Sequence, residues 1–292
     1  MNFIKENDHE IYTYSQNRPD SISVYGALGF VGSRFCNLYP DLIVKQEREE
    51  RKPRTKKILY LISTVDNYNI HTNITLDVET NLKVLCEVLN YCREEDITFN
   101  FISSWFVYGE TELPAKEIYH CNPTGFYSIT KKAAEDLLIS FCRTYKVNYR
   151  IMRLCNVMGV GDGKSSVKKN ALIYMIGLLK KDEDVYLYDD GTPIRDVMHV
   201  NDVCSAIKLV CDKGNLNEIY NIGSGQPTTI GAIIETAKEC LSSVSQIKYK
   251  EAPEFHKIVQ AKDFWLDTTK LNQLGFTQTI SIKKIINELC TN

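Results

Sequence analysis

Short apolar segments alternate with longer amphipathic segments through the first half of this chain, and this alternation limits the possible folds most strongly. Segment 78–92 repeats apolar residues every three or four positions, the period of a helix with one buried face. Segment 58–63 (ILYLIS) has no polar face, so we expect a strand covered on both sides. The predicted strands are residues 21–25, 41–45, 58–63, 99–103 and 149–154, and the predicted helices are residues 31–38, 78–92 and 128–145. The pattern predicts the α/β class, a doubly wound parallel sheet with helices on both faces.

The pattern changes after about residue 160. The later elements predicted are helices at 169–180, 201–211 and 230–240, with short strands at 185–188 and near residue 219. We therefore predict a first domain over residues 1–160, to which some later segments return, and a smaller C-terminal α/β lobe over residues 161–292. The charged strip 46–57 is predicted to be a solvated loop, and EIYTYS within residues 1–20 could add an edge strand.

Composition excludes several classes of protein. The chain has 292 residues, 43% hydrophobic residues and a net charge of −2, which does not suit a broadly basic nucleic-acid binder. No uncharged apolar stretch reaches about 18 residues, so we expect no membrane association, and the first residues lack the apolar core of a signal peptide. The ten cysteines lack CxxC spacing and are interpreted as reduced thiols of a cytoplasmic protein. The five histidines show no ligand spacing, so no metal site is predicted.

A glycine-rich turn follows the first predicted strand. Its glycines have the spacing GxxGxxG, one residue longer in the first gap than the dinucleotide fingerprint. Glycine permits a positive φ and lets the backbone approach a pyrophosphate, which the N-terminus of the next helix attracts. The alternative is a strand-to-helix turn without a ligand. We predict a Rossmann-like domain whose cofactor-binding residues include Gly26, Gly29, Phe30, Val31 and Gly32.

The choice between NADP and NAD depends on the charged residues after the second strand. Arg48 or Arg51 would suit the 2′-phosphate of NADP, whereas Glu47 could accept a hydrogen bond from the ribose hydroxyl of NAD. A solvated run of charges would also explain these residues. We predict NADP, held by Arg48, with NAD as the alternative.

Tyr127 and Lys131 are four residues apart in a predicted helix, so their side chains share one face. A free phenol has a pKa of about 10 and is a poor base near neutrality. A nearby ammonium, together with the positive ring of an oxidised nicotinamide, is expected to lower that pKa, so Tyr127 could exchange a proton with a substrate hydroxyl. The spacing alone would equally fit a surface pair. Ser104 strengthens the interpretation because it ends a predicted strand, where parallel sheets bind ligands.

The motifs together, in this order, resemble the extended short-chain dehydrogenase/reductase family, which includes nucleotide-sugar epimerases and dehydratases. The resemblance runs from about residue 21 to residue 280. It rests on these segments: GALGFVG at 26–32, SSWFVYG at 103–109, YSITK at 127–131, RLCNVMG at 153–159, RDVMHVNDV at 195–203, YNIGSG at 220–225 and LDTTK at 266–270.

The resemblance implies roles for individual residues. Ser104 would hydrogen-bond the reacting oxygen, Tyr127 would be the acid/base group, and Lys131 would bind the ribose and tune Tyr127. Asn156 would contact the substrate and Arg195 the nucleotide diphosphate, although Asn156 could be a turn former and Arg195 could pair with a neighbouring aspartate.

One position of the family pattern differs here, and one matching residue is given a structural role. The family's second phosphate-binding arginine has no match here; His256 or Lys257 occupies that neighbourhood, and we favour Lys257. His199 is expected to be a structural hydrogen-bonding residue.

Departures from the family pattern narrow the reaction. Trp105 and Phe106 stand where the family's dehydratases carry an acidic pair, so no carboxylate is ready for elimination. Cys155 is interpreted as a core thiol. The expected function is NAD(P)-dependent reduction of a 4-keto nucleoside-diphosphate sugar in deoxysugar biosynthesis. The alternatives are a 4-epimerase that retains NAD and a non-catalytic NAD(P)-binding module.

Two structural expectations also follow from the resemblance. The family's usual third strand and its helix have no room between residues 45 and 58. Helices 78–92 and 128–145 are expected to pair with a second copy of the chain in a homodimer, with Ile139 among the surplus apolar positions.

Overall fold

The computed structural model describes residues 20–94, 96–162 and 170–292. Numbered in chain order, its strands are β1 Ile22–Tyr25, β2 Ile43–Lys45, β3 Lys57–Tyr60, β4 Thr98–Ser104, β5 Asn148–Leu154, β6 Asn156–Met158, β7 Val185–Tyr188, β8 Ile194–His199, β9 Glu218–Ile222, β10 Pro227–Thr229 and β11 Ile247–Lys250. The helices are α1 Phe30–Leu38, α2 Leu76–Val78, α3 Val84–Leu89, α4 Phe126–Tyr145, α5 Ala171–Leu179, α6 Val200–Lys213, α7 Ile230–Leu241, α8 Glu254–Val259, α9 Thr269–Gln273 and α10 Ile282–Thr291. The segment EIYTYS lies outside the described residues.

The main sheet is parallel, in the order β2-β1-β3-β4-β5-β9. Successive residues of β3 enter different cores: Leu59 packs on the side of α1 and α6, and Ile58 packs on the side of α3 and α4. Apolar side chains on both faces explain why this strand has no polar alternation. The doubly wound, Rossmann-like α/β prediction is confirmed.

Strand β2 forms one edge of this sheet, so the expected shortening after residue 45 is confirmed. The segment between β2 and β3 is held to the rest of the domain by more hydrogen bonds than a solvated loop would be. Thr55 accepts a hydrogen bond from Ser23 N at 2.8 Å, and Arg51 Nε lies 2.7 Å from Glu87 Oε2. The prediction for residues 46–57 is thus correct for the exposed charges and wrong for buried Gln46 and Thr55.

The second lobe contains two small sheets. One has the order β10-β8-β6, and in the other β11 pairs with β7. These elements share a core with α5, α7 and α10. Because β9 returns to the main sheet and α6 packs against α1, residues beyond 160 also build the first domain.

Two elements differ from their predicted bounds at places that matter for the site. Strand β3 ends at Tyr60 instead of residue 63. Beyond it, Thr64 N donates to the side chain of Asn81. The predicted helix 78–92 contains a π-helical turn, Glu79–Lys83, between α2 and α3, and this turn holds Asn81 buried. Within the described ranges, no helix combines the length and the apolar character needed to cross a membrane.

Candidate active site

A cleft of about 1540 Å³ lies at the carboxyl ends of the main-sheet strands and extends to the second lobe. Both halves of the chain line it, as expected of an open parallel sheet. Among its lining residues are Gly26, Ser104, Tyr127, Lys131, Asn156 and Arg195. The structure therefore brings together residues that are up to 169 positions apart in the sequence.

The glycine turn forms one end of the cleft. Gly26 has φ +82°, and a Cβ there would lie 3.1 Å from the backbone of Leu61. A Cβ on Gly32 would lie 2.2 Å from the carbonyl oxygen of Gly26, so the helix packs on the turn only because this side chain is absent. Helix α1 starts at Phe30 with no acidic residue in its first turn, and its first N–H groups have no partner within the helix. This arrangement fits the pyrophosphate of a dinucleotide.

Tyr127 lies in the first turn of α4, with its side chain buried beside the end of β4. The side chains of Ser104 and Ser63 are near its hydroxyl and act to lower its pKa. The ring of Phe106 stands edge-on to the Tyr127 ring at 5.8 Å. Burial raises the pKa of Tyr127 to about 12. In the protein alone, burial outweighs the opposing effect of the two serines on this pKa. The lowering expected with an oxidised nicotinamide bound stays a prediction.

Lys131 is the second member of the pair and is also buried. Its Nζ donates to the carbonyl oxygen of Ile102 at 2.7 Å and lies 4.2 Å from the ring centre of Phe101. Burial lowers the pKa of Lys131 to about 7. The ammonium therefore carries less charge near neutrality than an exposed lysine would, and it is directed to the backbone of β4.

A polar network behind Tyr127 was missed by the sequence analysis. Asn81 Oδ1 accepts from Ser63 Oγ at 3.0 Å, and Asn81 Nδ2 donates at 2.9 Å to both Thr64 Oγ1 and Thr130 Oγ1. Thr64 Oγ1 in turn donates to Asp77. A signal existed for Asn81, because it lies four residues before buried Leu85, on the same face of the predicted helix.

Aromatic rings form the wall of the cleft next to Ser104. Trp105 stacks on Phe106 at 4.0 Å and on Phe264 at 4.6 Å. The residues that replace the dehydratase acidic pair are thus packed into an apolar surface. No carboxylate is available at these two positions.

Arg195 is buried at the end of the cleft near the second lobe. Its Nη1 donates to the carbonyl oxygens of Ile194 at 2.7 Å and Lys262 at 2.6 Å, and its guanidinium lies 5.6 Å from the ring centre of Trp105. Burial lowers its pKa to about 10, so Arg195 stays charged at neutral pH. The alternative of an ion pair with Asp196 is wrong, because Asp196 accepts hydrogen bonds from Ser224, Gly225 and Leu266.

Three more predicted residues lie in or beside β6: Cys155, Asn156 and His199. Asn156 lines the cleft and donates to the carbonyl oxygen of Asp196 at 3.1 Å. The structural interpretation of His199 is supported, since its Nδ1 accepts from Asn201 N at the start of α6. Cys155 is buried and free, and burial raises the pKa of its thiol, as expected of a core residue.

Two predicted contact residues are less favourably placed. Lys257 borders the cleft, but its Nζ lies 2.5 Å from Glu251 Oε1, which neutralises it locally. The Arg48 side chain is 95% exposed with its Nε 4.0 Å from Glu49, and it does not line the cleft. Their roles stay predictions. His256, Lys250 and Lys262 also border the cleft and were not selected from the sequence.

The comparisons with known proteins agree with this geometry. The family model described as "NAD dependent epimerase/dehydratase family" matches residues 54–223. A protein of Methanocaldococcus jannaschii named "Putative UDP-glucose 4-epimerase" is 26% identical over 242 residues, which are 80% of this chain and 77% of that protein.

Solved structures show the same fold. The UDP-glucuronic acid 4-epimerase of Bacillus cereus, in complex with UDP-glucuronic acid and NAD, has a TM-score of 0.82 at 19% identity, over 93% of this chain and 98% of that one. RMD of Pseudomonas aeruginosa, complexed with NADPH, has a TM-score of 0.80 at 20% identity, over 93% and 98% of the two chains. With the family model covering more than half of its length, the chain belongs to the NAD dependent epimerase/dehydratase family and is an NAD(P)-dependent enzyme.

Proposed function

We propose that this enzyme reduces a 4-keto nucleoside-diphosphate sugar to the 4-hydroxy sugar, a step of deoxysugar formation. The observation that supports the proposal is the shared cleft, which Tyr127 and Ser104 line together with the glycine turn and Arg195. The sugar C4 would lie at Tyr127, and its diphosphate would extend toward the second lobe.

The residues of the chain suit both ligands. The reduced nicotinamide, when bound, supplies the hydride. The glycine turn and the start of α1 would hold the pyrophosphate of the dinucleotide, and Lys131 would hold its ribose. Arg195 would pair with the sugar diphosphate through its remaining guanidinium donors, with Asn156 as a further contact and Lys257 as a weaker cationic one.

Tyr127 would act as a general acid. Its hydroxyl would give a proton to the C4 oxygen, and Ser104 would donate a hydrogen bond to the same oxygen. A phenol that is protonated at neutral pH suits reduction, which needs an acid. Trp105 and Phe106 offer no carboxylate for loss of water, so the chemistry stays at one carbon.

The assay for this function uses purified protein with NADPH or NADH and a panel of 4-keto nucleoside-diphosphate sugars. We expect one reduced cofactor to be consumed for each sugar reduced, with NADPH preferred if Arg48 contacts a 2′-phosphate. If no member of the panel oxidises either cofactor, the reductase proposal is refuted.

A 4-epimerase is the second candidate. It is supported by relatives whose names describe 4-epimerases of UDP-glucose and of UDP-glucuronic acid. An epimerase removes the hydride from C4 and returns it to the other face, so it needs Tyr127 first as a base. Interconversion of two 4-hydroxy sugars without added cofactor would identify it and exclude the reductase.

We also propose that the enzyme is a cytoplasmic homodimer. Helices α3 and α4 and the segments beside them expose apolar side chains suited to a second copy: Val78, Tyr91, Ile129 and Leu137. Ile139 is not among them, because it is partly buried against the core of the first domain.

A further inference from the structure

A buried ion pair lies one helical turn after Lys131, outside the set of residues assigned above. Glu135 of α4 is fully buried, and Arg153 of β5 is 2% exposed. Arg153 Nε lies 3.0 Å from Glu135 Oε1, and Arg153 Nη2 lies 2.7 Å from Glu135 Oε2, so both carboxylate oxygens are bonded to the guanidinium. Because taking two charges out of water is costly, a pair in this position needs an explanation.

The guanidinium of this pair is held in place from other directions as well. Arg153 is paired in register with Ser103 of β4, and its guanidinium lies 4.6 Å from the ring centre of Tyr108. The Tyr108 hydroxyl donates in turn to Asn221 Oδ1 at 2.7 Å. A planar guanidinium with two parallel donors fixes a carboxylate in one orientation. Arg153 therefore holds the Glu135 carboxylate against β5.

Lys131 is the neighbour of Glu135 on the same face of α4, because four residues separate them. Oppositely charged side chains with this spacing attract each other, and more strongly in a protein interior than in water. The Lys131 ammonium is also buried, and its Nζ donates instead to the carbonyl oxygen of Ile102 at 2.7 Å. Lys131 and Arg153 are thus two possible cationic partners for one carboxylate, and Arg153 holds it.

The direction in which Lys131 is held matters for the cleft. Lys131 lines the cleft together with Tyr127, one turn before it on α4. An ammonium has three donors, so after its bond to Ile102 it can still donate to a ligand. A bond to Glu135 would draw the ammonium along α4 in the direction away from Tyr127. The contact between Arg153 and Glu135 removes this competing acceptor.

We propose that Arg153 is a positioning residue: by holding both oxygens of Glu135, it prevents this carboxylate from pairing with Lys131 and leaves the ammonium to the cleft. The inference rests on the proposed function, in which Lys131 holds the ribose of the dinucleotide. Arg153 would then act on cofactor binding through two other side chains, without touching the cofactor. Loss of Arg153 would weaken that binding because Glu135 would take its place beside the ribose as the partner of Lys131.

The experiment measures the dissociation constant of the dinucleotide by fluorescence titration of the full chain with NADH and with NADPH. In Arg153→Met we expect binding to weaken about 10- to 100-fold, the value of a charged hydrogen bond. When Glu135→Gln is added to Arg153→Met, the competing charge is gone, and the dissociation constant should return close to that of wild type. A merely structural role of Arg153 predicts no such rescue, because the second substitution would only add to the damage.

Two further variants keep the test decisive. Arg153→Lys keeps a positive charge but lacks the fork that holds both oxygens. It should therefore fold even if Arg153→Met does not, and it should weaken binding less, again with rescue by Glu135→Gln. Arg150→Met is the matched control, because Arg150 is a buried arginine of the same strand that donates to Gly214 O at 2.8 Å. It should lower the melting temperature and leave the dissociation constant unchanged.

Normal dinucleotide affinity in both Arg153 variants would overturn the inference, as would weak binding that Glu135→Gln does not restore. It would also be overturned if Lys131→Met bound the dinucleotide as tightly as wild type does. Failure of the proposed function is distinguishable, because binding does not require turnover of any sugar. Rescue in a protein that reduces no 4-keto sugar would support the role of Arg153 and refute the reductase, and reduction of a 4-keto sugar without rescue would do the reverse.

Discussion

At the scale of single residues, burial acts in opposite directions on the two groups one helical turn apart on α4. It raises the pKa of Tyr127 to about 12 and lowers the pKa of Lys131 to about 7. Both shifts favour the neutral forms, because a charge loses hydration when it is buried. The protein alone therefore presents a proton donor beside a weakly charged lysine.

The lowered pKa of Lys131 predicts that the stability of the protein depends on pH. The folded pKa of about 7 lies below the ordinary value of 10.5, so between these values the unfolded chain binds more protons and the stability contributed by this group rises with pH. We expect wild type to gain up to about 3 kcal/mol relative to Lys131→Met between pH 6 and pH 9, measured by urea unfolding. A constant difference between the two proteins would contradict the shift.

If Tyr127 is the general acid, removal of its hydroxyl should slow the reaction without weakening cofactor binding. Tyr127→Phe should lower kcat about 10²- to 10⁴-fold while cofactor affinity, measured by fluorescence titration, changes little. Tyr249→Phe removes a hydroxyl from a residue that is 53% exposed and does not line the cleft, and it serves as the matched control. Full activity of Tyr127→Phe on every sugar turned over by wild type would refute the mechanism.

Arg195 and Lys257 differ in the partners that their charged groups contact. Arg195 is buried against neutral carbonyls, whereas Lys257 is paired with Glu251. Arg195→Lys should raise KM for the nucleotide sugar about 10- to 100-fold, the value of a charged hydrogen bond, whereas Lys257→Gln should change KM less than about threefold. Equal effects in steady-state kinetics would show that both cations contact the diphosphate.

At the scale of elements, the contact between β1 and α1 depends on a missing side chain. The space for a Cβ on Gly32 is taken by the carbonyl oxygen of Gly26, 2.2 Å away. Gly177 in α5 is different, because a Cβ there would meet nothing within 4 Å. Substitution of glycine by alanine is therefore expected to lower the stability at position 32 and to raise it at position 177.

We expect Gly32→Ala to lose about 1–3 kcal/mol of stability and to weaken cofactor binding, because α1 must move away from the turn. Gly177→Ala should instead gain about 0.5–1 kcal/mol, since alanine is the better helix former. Thermal unfolding with and without cofactor measures both effects. Normal cofactor affinity in Gly32→Ala would show that the turn does not hold the pyrophosphate.

At the scale of the whole molecule, the two halves of the chain are interleaved. Strand β9 and helix α6 come late in the sequence but complete the first domain. Asp196 in β8 accepts hydrogen bonds from Ser224, just after β9, and from Leu266, between α8 and α9. The cleft exists only when both halves are folded. We expect truncation near residue 160 to remove the second lobe and also to unfold the main sheet.

The outer apolar face of α4 predicts the state of association. Leu137 is 42% exposed and Ile129 is 46% exposed. If this face is the dimer interface, Leu137→Lys should convert the dimer to a monomer in light scattering, because an unpaired charge cannot be buried there cheaply. Val244→Lys, at a residue that is 80% exposed on the second lobe, is the control and should leave the dimer intact.

The sequence by itself determined the parallel sheet, the glycine turn and the position of Tyr127 and Lys131 on one face of a helix. Each depends on local information: strands such as β3 are apolar on both faces, the turn needs glycine at Gly26, and a four-residue spacing places Tyr127 and Lys131 on one helix face. The end of β3 and the π-helical turn around Asn81 could not be predicted, because hydrogen bonds between distant segments set them.

Only the tertiary structure decided the electrostatics of the site. Burial depends on what every other segment covers, so it was folding that raised the pKa of Tyr127 in the protein alone. Folding also turned Lys257 toward Glu251 and placed the carboxylate of Asp77 behind the cleft. A linear sequence names the ionisable groups, but their charges are fixed by the solvent and neighbours that the folded chain gives them.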